Sequence, residues 1–317
     1  MIRLTWRQHR LQAGSAAVLL AVLAALLVWT GQQMSAYLDT SGLSACLAAN
    51  GDCGGFTKLF SIRYGGLLGY SAWLNFLPML VGIFWGAPLL ARELEQGTHR
   101  LAWTQTVTRR RWLLTKVSLL LGAAVLAGAA FSALLTWWFH PFAQVGVGGY
   151  APMNLNVFDF QGTAPIGYTV YAFALGALAG VLTRRTLPAM AITLAGYLPL
   201  RLYVQNLRES FMAPLTVSYP PFGASPRAGL GDWVLRSTIV DNAARELSDA
   251  AVVASCPTTG GSKGTVTECL AAHGFQQLDN YQPASRFWTF QGIETGLFVA
   301  LTALLLLTLW SVTRRTA

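Results

Sequence analysis

The sequence predicts an all-α polytopic membrane protein with six transmembrane helices, cytoplasmic N- and C-termini, and a small extracytoplasmic domain between helices 5 and 6. Of the 317 residues, 54% are hydrophobic and only 11% are charged, whereas soluble domains contain about a quarter charged residues. Six apolar stretches are also long enough to cross about 30 Å of hydrocarbon, which takes about 20 residues. These stretches are 14–30, 67–90, 113–139, 166–182, 187–203 and 290–312.

The N-terminal segment, residues 1–13, carries Arg3, Arg7 and Arg10, which recur at helical spacing. Such a segment suits the inner membrane surface, either as an interfacial helix or as a simple basic tail that fixes orientation. A cleaved signal peptide would have an apolar region of about 7 to 15 residues and a small-residue cleavage site. The apolar stretch here is longer, so we expect it to remain as the first span.

The basic residues set the orientation. With the N-terminus inside, thirteen of the 22 Lys and Arg residues but only two of the 13 acidic residues fall on the cytoplasmic side, as the positive-inside rule requires. Those two acids are Glu93 and Glu95. Because the cations lie at the ends of spans, attraction to anionic lipid explains the net charge of +9 better than nucleic-acid binding does.

The four cysteines lie in two segments assigned to the extracytoplasmic side, with Cys46 and Cys53 in the first and Cys256 and Cys269 in the last. Disulfides persist on that side of a membrane. The sequence therefore predicts two local disulfides, although a link between Cys46 and Cys256 would instead join the two segments. The histidines and cysteines do not show metal-ligand spacings, so no metal site is predicted.

Residues 205–285 form the largest soluble piece and are predicted to be a domain of short helices. Apolar residues recur at helical spacing within "DNAARELSDAAVVASC", between the loop-like "YPPFGASP" and "CPTTGGSKG". This domain either covers a substrate path or packs as a structural lid on the helix ends. Residues 286–317 then hold the sixth span and a basic tail.

Two charged residues, Arg201 and Glu294, fall inside predicted spans, toward the outer leaflet. Charges within a membrane commonly mark a pathway. Here they either form a salt bridge near the outer mouth or extend separately to the interface.

The loop between spans 2 and 3 reads "ARELEQGTHRLAWTQTVTRRRWLLTK". Leu94, Thr98 and Leu101 lie at helical spacing and form one narrow face, which predicts a short amphipathic helix along the inner surface. Thr108 suits the N-cap of the third span. The basic cluster Arg109, Arg110 and Arg111 follows it.

This loop resembles a segment of the membrane-spanning permease subunits of ABC-2 type exporters, which are driven by ATP. That family has an acidic "RE-x-E-x-GT" pattern after the second span, then Thr or Ser and a basic cluster; its six-span layout also matches the whole chain. Thr106 stands where many members have Pro, which affects the loop geometry. The resemblance implies a coupling loop at 91–112 within the membrane unit 14–204, with these residues meeting an ATPase: Arg92, Glu93, Leu94, Glu95, Gly97, Thr98 and Arg100.

The resemblance also implies partners. The chain has no G-x-x-x-x-G-K-[ST] motif, so ATP and Mg are expected in a separate ABC ATPase, and the chain itself is expected to be a non-enzymatic subunit without a cofactor. A second permease copy, identical or similar, is expected to complete the export pathway in the cell (plasma) membrane. Two alternatives stay open: the acids only stabilise a helix start through its dipole, or the chain is a secondary carrier or regulatory membrane subunit without an ATPase.

Overall fold

A computed structural model of the chain describes residues 2–49, 52–95, 109–146, 152–221, 231–256 and 263–315. Within these residues the chain is mostly helical, and six helices are long and apolar enough to cross a membrane. The prediction of six spans is therefore confirmed. Spans 1 to 6 are Leu20–Thr40, Gly66–Glu95, Leu113–Val145, Ala164–Thr183, Thr186–Ser210 and Ala284–Arg314.

Span 1 is part of one uninterrupted helix, Ile2–Thr40. At 1.5 Å per residue this helix is about 58 Å long, nearly twice the thickness of the hydrocarbon core. The backbone of the N-terminal segment 1–13 thus runs into span 1 without a break from Ile2 onward. Two short helices, Leu43–Ala48 and Gly54–Tyr64, connect span 1 to span 2.

Span 2 is a composite of five helical pieces that run in series. They are Gly66–Ser71, the 3₁₀ turn Ala72–Phe76, Leu77–Val81, the π turn Gly82–Gly86 and Ala87–Glu95. The π turn packs directly on span 4: a Cβ atom added to Gly176 would lie 2.4 Å from the carbonyl oxygen of Gly82. Because neither glycine has a side chain, the two helix backbones touch.

The remaining spans are long single helices. Span 3 lies in Arg109–Val145, span 4 is Ala164–Thr183, and span 6 lies in Phe287–Arg315, with the 3₁₀ turn Ala284–Arg286 before it. Span 5 combines Thr186–Leu207 with the 3₁₀ turn Arg208–Ser210, and the short helix Leu155–Phe158 precedes span 4.

Span 4 is the centre of the bundle. Of its most apolar window, 78% is buried, against 17% for span 1, span 3 and span 6. Its buried side chains, including Tyr168, Phe173 and Ala177, pack on residues of the neighbouring spans. The exposed apolar surface is therefore concentrated on the peripheral helices, as expected for helices that face lipid.

The segment between spans 5 and 6 contains a small β-sheet, which corrects the all-α prediction. The strands are β1 (Leu215–Tyr219), β2 (Trp233–Val240) and β3 (Gln276–Gln282), arranged antiparallel in the order β1-β3-β2. Two helices, Asp249–Ser255 and Lys263–Ala272, lie between β2 and β3 along the chain. The central strand pairs with partners tens of residues away, a non-local arrangement that helical spacing within one segment does not reveal.

The helix that the apolar pattern within "DNAARELSDAAVVASC" predicts is shorter in the structure than that pattern. Leu247 donates its N–H to the carbonyl of Ile239 at 2.9 Å and Ala244 has a φ of 56°, so this part is a turn that closes on β2. The helix begins after Ser248, whose hydroxyl accepts from the N–H of Ala251 at 3.3 Å. This is the usual N-cap arrangement.

Both predicted disulfides are present and local. Cys46 is bonded to Cys53, and Cys256 is bonded to Cys269, with Cα atoms 5.9 Å apart in each pair. The link between Cys46 and Cys256 is therefore not formed. Each bridge closes a short chain segment at the same end of the bundle as the sheet.

The two ends of the bundle differ in structure and are named here for their landmarks. The sheet end is where span 5 passes into β1 and β3 passes into span 6. The loop end is the opposite one, where the last residues of span 2 meet the first residue of span 5. The charged side chains that the sequence singled out lie at these two ends.

Candidate functional site

At the loop end, the side chain of Glu93 is buried and is not exposed at the surface. The helix Ala87–Glu95 continues span 2, so Ala91–Glu95 do not start a separate surface helix. Glu93 forms an ion pair with Lys116 of span 3, and the side chains are only 10% and 5% exposed, respectively. The pair therefore fixes the end of span 2 to the start of span 3.

Glu95 makes a second link, to span 5. Its Oε2 accepts hydrogen bonds from the backbone N–H of Thr186 at 3.1 Å and from the hydroxyl of Thr186 at 2.9 Å. Thr186 is the first residue of its helix, where N–H groups lack a partner in the helix and the helix dipole attracts an anion. Glu95 thus caps span 5 from a neighbouring helix, whereas Arg185 gives that helix no side-chain cap.

The other loop residues divide into exposed ones and ones that are not described. Arg92 and Arg111 are exposed, while Leu94 is half-buried against apolar residues of the loop end. Gly97, Thr98 and Arg100 lie outside the described residues, as does the rest of the predicted amphipathic helix. The helix of span 3 begins at Arg109, and the preceding Thr108 also lies outside the described residues.

At the sheet end, four charged side chains meet inside the protein. Asp159 comes from the segment before span 4, Arg201 and Arg208 from span 5, and Glu294 from span 6. None is more than 7% exposed, and Arg208 and Glu294 are fully buried. We call these four residues the charge cluster.

The charge cluster is closely connected. Asp159 Oδ1 lies 2.6 Å from Arg201 Nη2 and 2.5 Å from Arg208 Nη2. Glu294 Oε1 lies 3.2 Å from Arg201 Nη1, and its Oε2 lies 2.8 Å from Arg208 Nε. Each arginine therefore contacts both carboxylates, and the cluster has no net charge when all four groups are ionised.

Tyr168 of span 4 completes the cluster. Its hydroxyl donates to Glu294 Oε1 at 2.6 Å, and its ring lies under the guanidinium of Arg201 at 4.0 Å. Arg208 lies in the same way over the ring of Phe158, also at 4.0 Å. Aromatic faces stabilise a desolvated guanidinium, so each buried arginine has both carboxylates at its edge and a ring on its face.

The position of Asp159 is fixed by a glutamine of span 6. The side chain of Gln291 accepts from the N–H groups of Thr163 and Ala164 at 3.0 and 2.8 Å, and donates to the carbonyl of Phe158 at 3.0 Å. It thereby caps the start of span 4 and holds the preceding segment against span 6. Gly162, with a φ of 68°, makes room for it, since a Cβ there would lie 2.8 Å from Gln291 Oε1.

The charges on the two arginines act on Asp159, which lies between spans 3 and 4. Burial alone would raise the pKa of this carboxyl, but Arg201 and Arg208 outweigh that effect and hold its pKa below the usual range. Asp159 is therefore ionised at neutral pH. Breaking a buried pair of this kind by removing one partner costs about 3 to 5 kcal/mol.

Two of the four residues in the charge cluster were predicted from the sequence. These are Arg201 and Glu294, which lie within hydrogen-bond distance and were both placed toward one end of their spans. The other two, Asp159 and Arg208, and the neighbouring Tyr168 were not predicted. A signal for Asp159 was present, because it is the sole charged residue between Lys116 and Arg184, and a lone carboxylate in so apolar a stretch needs a partner.

Comparison with known protein families assigns the membrane part of the chain to one of them. A family described as ABC-2 membrane transporter related matches residues 17–208, which hold spans 1 to 4, all but the last two residues of span 5, and all of the charge cluster except Glu294. No curated protein and no solved structure matches the chain significantly. The matched residues are well over half of the chain, so the protein belongs to the ABC-2 membrane transporter related family.

Proposed function

We propose that the chain is the permease subunit of an ABC-2 type exporter, which forms part of the transmembrane pathway and couples it to a separate ABC ATPase. Family membership and six apolar helices support a multi-pass, non-enzymatic membrane subunit. In this proposal the ATPase binds ATP and Mg, and a second permease copy completes the pathway in the plasma membrane.

The coupling role is supported by the contacts that join spans 2, 3 and 5 at the loop end. Span 2 and span 3 are consecutive along the chain, and the end of span 2 is held by two contacts: Glu93 binds Lys116 of span 3, and Glu95 binds Thr186 of span 5. A partner that displaces the end of span 2 would therefore also displace spans 3 and 5. Side chains that meet the partner must be exposed, which favours Arg92 over the buried Glu93.

The charges and the disulfides support the orientation in this proposal. The loop end carries the basic residues 109–111, Arg184 and Arg185, so the positive-inside rule puts it in the cytoplasm. The sheet end carries both disulfides, which persist outside the cytoplasm. In this orientation an ATPase reaches the loop end, and the sheet domain and charge cluster lie toward the outer surface.

The proposal is tested by co-purification of the chain with an ABC ATPase encoded beside its gene, followed by ATPase assays in nanodiscs. Arg92→Glu should weaken the association about tenfold or more, because it reverses an exposed charge at the docking surface. Lys58→Glu is the matched control, since Lys58 is an exposed cation at the sheet end. Both variants should insert and elute normally.

Two results would contradict the proposal. One is the absence of any stable complex with an ATPase for the wild-type chain, which would leave a carrier or a regulatory subunit. The other is equal loss of association in Arg92→Glu and Lys58→Glu, which would show that the loop end is not the docking surface.

A further inference from the structure

The disulfide between Cys256 and Cys269 lies beside a histidine. Nδ1 of His273 is 3.9 Å from Cys256 Sγ and 3.7 Å from Cys269 Sγ. Cys256 directly follows the helix Asp249–Ser255, while Cys269 lies in the last turn of the helix Lys263–Ala272, which His273 follows. The ends of the two helices thus bring one imidazole close to both sulfur atoms of the bridge.

Two contacts hold the ring of His273 in this position. Its Nδ1 donates a hydrogen bond to the backbone carbonyl of Cys269 at 2.9 Å, because a carbonyl oxygen can only accept. The ring also stacks on that of Phe275, with centroids 5.5 Å apart. Since Nδ1 already carries a hydrogen, a further proton binds at Nε2 and gives the ring a positive charge beside the sulfur atoms. Histidine is the side chain that gains such a charge nearest to neutral pH.

A positive charge at this position favours opening of the bridge. A disulfide is opened by a thiolate that attacks one sulfur atom and expels the other as a thiolate, and expulsion is faster when the leaving thiolate is stabilised. A cationic histidine stabilises a thiolate. Glu268, the neighbouring acid along the chain, is exposed, so its repulsion acts through water and is weak.

The exposure of the two cysteines indicates which sulfur atom is attacked. Cys256 is 3% exposed, whereas Cys269 is half-buried. A thiol from solution therefore meets Cys269 first, and Cys256 is the cysteine that leaves. The leaving Sγ is the one that lies 3.9 Å from His273 Nδ1.

The other disulfide has different surroundings. Cys53 is 7% exposed and belongs to an apolar cluster that includes Leu38, Leu43 and Phe60, and Cys46 packs against the same cluster. A thiolate formed there would be desolvated, which disfavours the charged form. The chain therefore provides its own comparison, because one local disulfide lies beside an imidazole and the other in an apolar cluster.

We propose that Cys269 is a site of modification by thiols, at which a thiol from solution opens the bridge to Cys256. The attacking thiolate forms a bond to Cys269 Sγ, and the Sγ–Sγ bond breaks with its electron pair on Cys256, which takes a proton from solvent. A second thiolate then attacks the sulfur of the first thiol in the mixed disulfide and releases Cys269. Two electrons thus pass to the bridge, and the two thiols leave as their own disulfide.

The test uses the full chain in nanodiscs, with glutathione as the thiol. N-ethylmaleimide stops the reaction, since it alkylates the freed Cys256 and leaves glutathione on Cys269, and peptide mass spectrometry locates both groups. EDTA is present, because the ligand atoms of Cys256, Cys269 and His273 lie within 4.8 Å of one another and reduced thiols bind soft metal ions. We expect glutathione on Cys269, and opening of this bridge about tenfold or more faster than opening of the bridge between Cys46 and Cys53.

Two variants test the role of His273. His273→Gln removes the positive charge and should slow opening of the neighbouring bridge about twofold to fivefold, as expected for the loss of one exposed charge interaction. His273→Arg keeps a cation at this position and should restore the rate, which a merely structural role of the imidazole would not produce. In both variants the bridge between Cys46 and Cys53 should open at its wild-type rate, which shows that the fold is intact.

Three outcomes would overturn the proposal: equal rates of opening for the two wild-type bridges, glutathione on Cys256 in place of Cys269, or equal rates for His273→Gln and His273→Arg. None of these measurements involves an ATPase. The thiol site and the proposed permease function therefore succeed or fail separately.

Discussion

The buried pair of Glu93 and Lys116 gives a sharp test of how the loop end works. If Glu93 is a link inside the chain, replacing both partners with methionine should keep the fold, whereas replacing one should not. Lys116→Met removes the cation that pairs with the buried Glu93 carboxylate, and Glu93→Met removes the carboxylate that pairs with the buried Lys116 ammonium. With side chains 5% and 10% exposed, each single change should cost about 3 to 5 kcal/mol.

The double variant distinguishes the pair from two independent contacts. Additive effects would sum to about 6 to 10 kcal/mol, which approaches the whole stability of a typical domain. Replacing a buried ion pair by apolar residues of similar volume is instead neutral or stabilising. We therefore expect the Glu93→Met, Lys116→Met variant to lie within about 2 kcal/mol of the wild type, a strongly non-additive result.

The assay is reversible unfolding in mixed micelles, with the free energy of unfolding measured for the wild type, both single variants and the double variant. ATPase association is measured on the same four proteins. If Glu93 serves only to link span 2 to span 3, the double variant should regain the stability and the ATPase association that the single variants lose. Additive destabilisation would refute the pairing, and a stable double variant that cannot bind the ATPase would show that Glu93 contacts the partner directly.

Three further predictions test the packing, the charge cluster and the disulfides. Gly176→Ala should lower stability by about 1 to 3 kcal/mol in thermal unfolding, because its Cβ would lie 2.4 Å from a backbone oxygen of span 2, whereas Gly122→Ala, with no neighbour within 4 Å, should not. The charge swap Arg201→Glu with Glu294→Arg should not restore the yield of folded protein, because the new arginine would face Arg208 and the new glutamate Asp159; recovery of wild-type yield would contradict the four-residue cluster. Replacing Cys46 and Cys53 by serine should cost about 2 to 3 kcal/mol in the same unfolding assay, given the seven-residue separation, and an unchanged midpoint would show that the bridge adds no stability.

Much of the membrane part was predictable, because a span is defined by local composition. Twenty apolar residues in a row need no knowledge of distant contacts, and even the stretch with Pro188 and Pro199 forms one helix, Thr186–Leu207. Proline at the third position of a helix loses no hydrogen bond. The local disulfides follow in the same way, since cysteines 7 and 13 residues apart are already close.

The site was predictable only in part, because its partners are far apart along the chain. The pattern at Glu93 showed an unusual acid, but its burial depends on Lys116, 23 residues away. Asp159 and Glu294 each stand alone in an apolar stretch, and their shared partner Arg208 was read as part of the soluble segment 205–285. The sheet was missed for a related reason, because β3 pairs with strands on distant parts of the chain.

The sequence by itself determined that this is a six-span membrane protein with one strongly basic side, because hydropathy and charge act locally and additively along the chain. Tertiary structure alone decided that Glu93 lies inside the bundle, that Glu95 caps span 5, and that Arg201 and Glu294 belong to a neutral cluster of four. The physical reason is that a buried charge is tolerated only next to its counter-charges. Which residues become neighbours depends on how the helices pack.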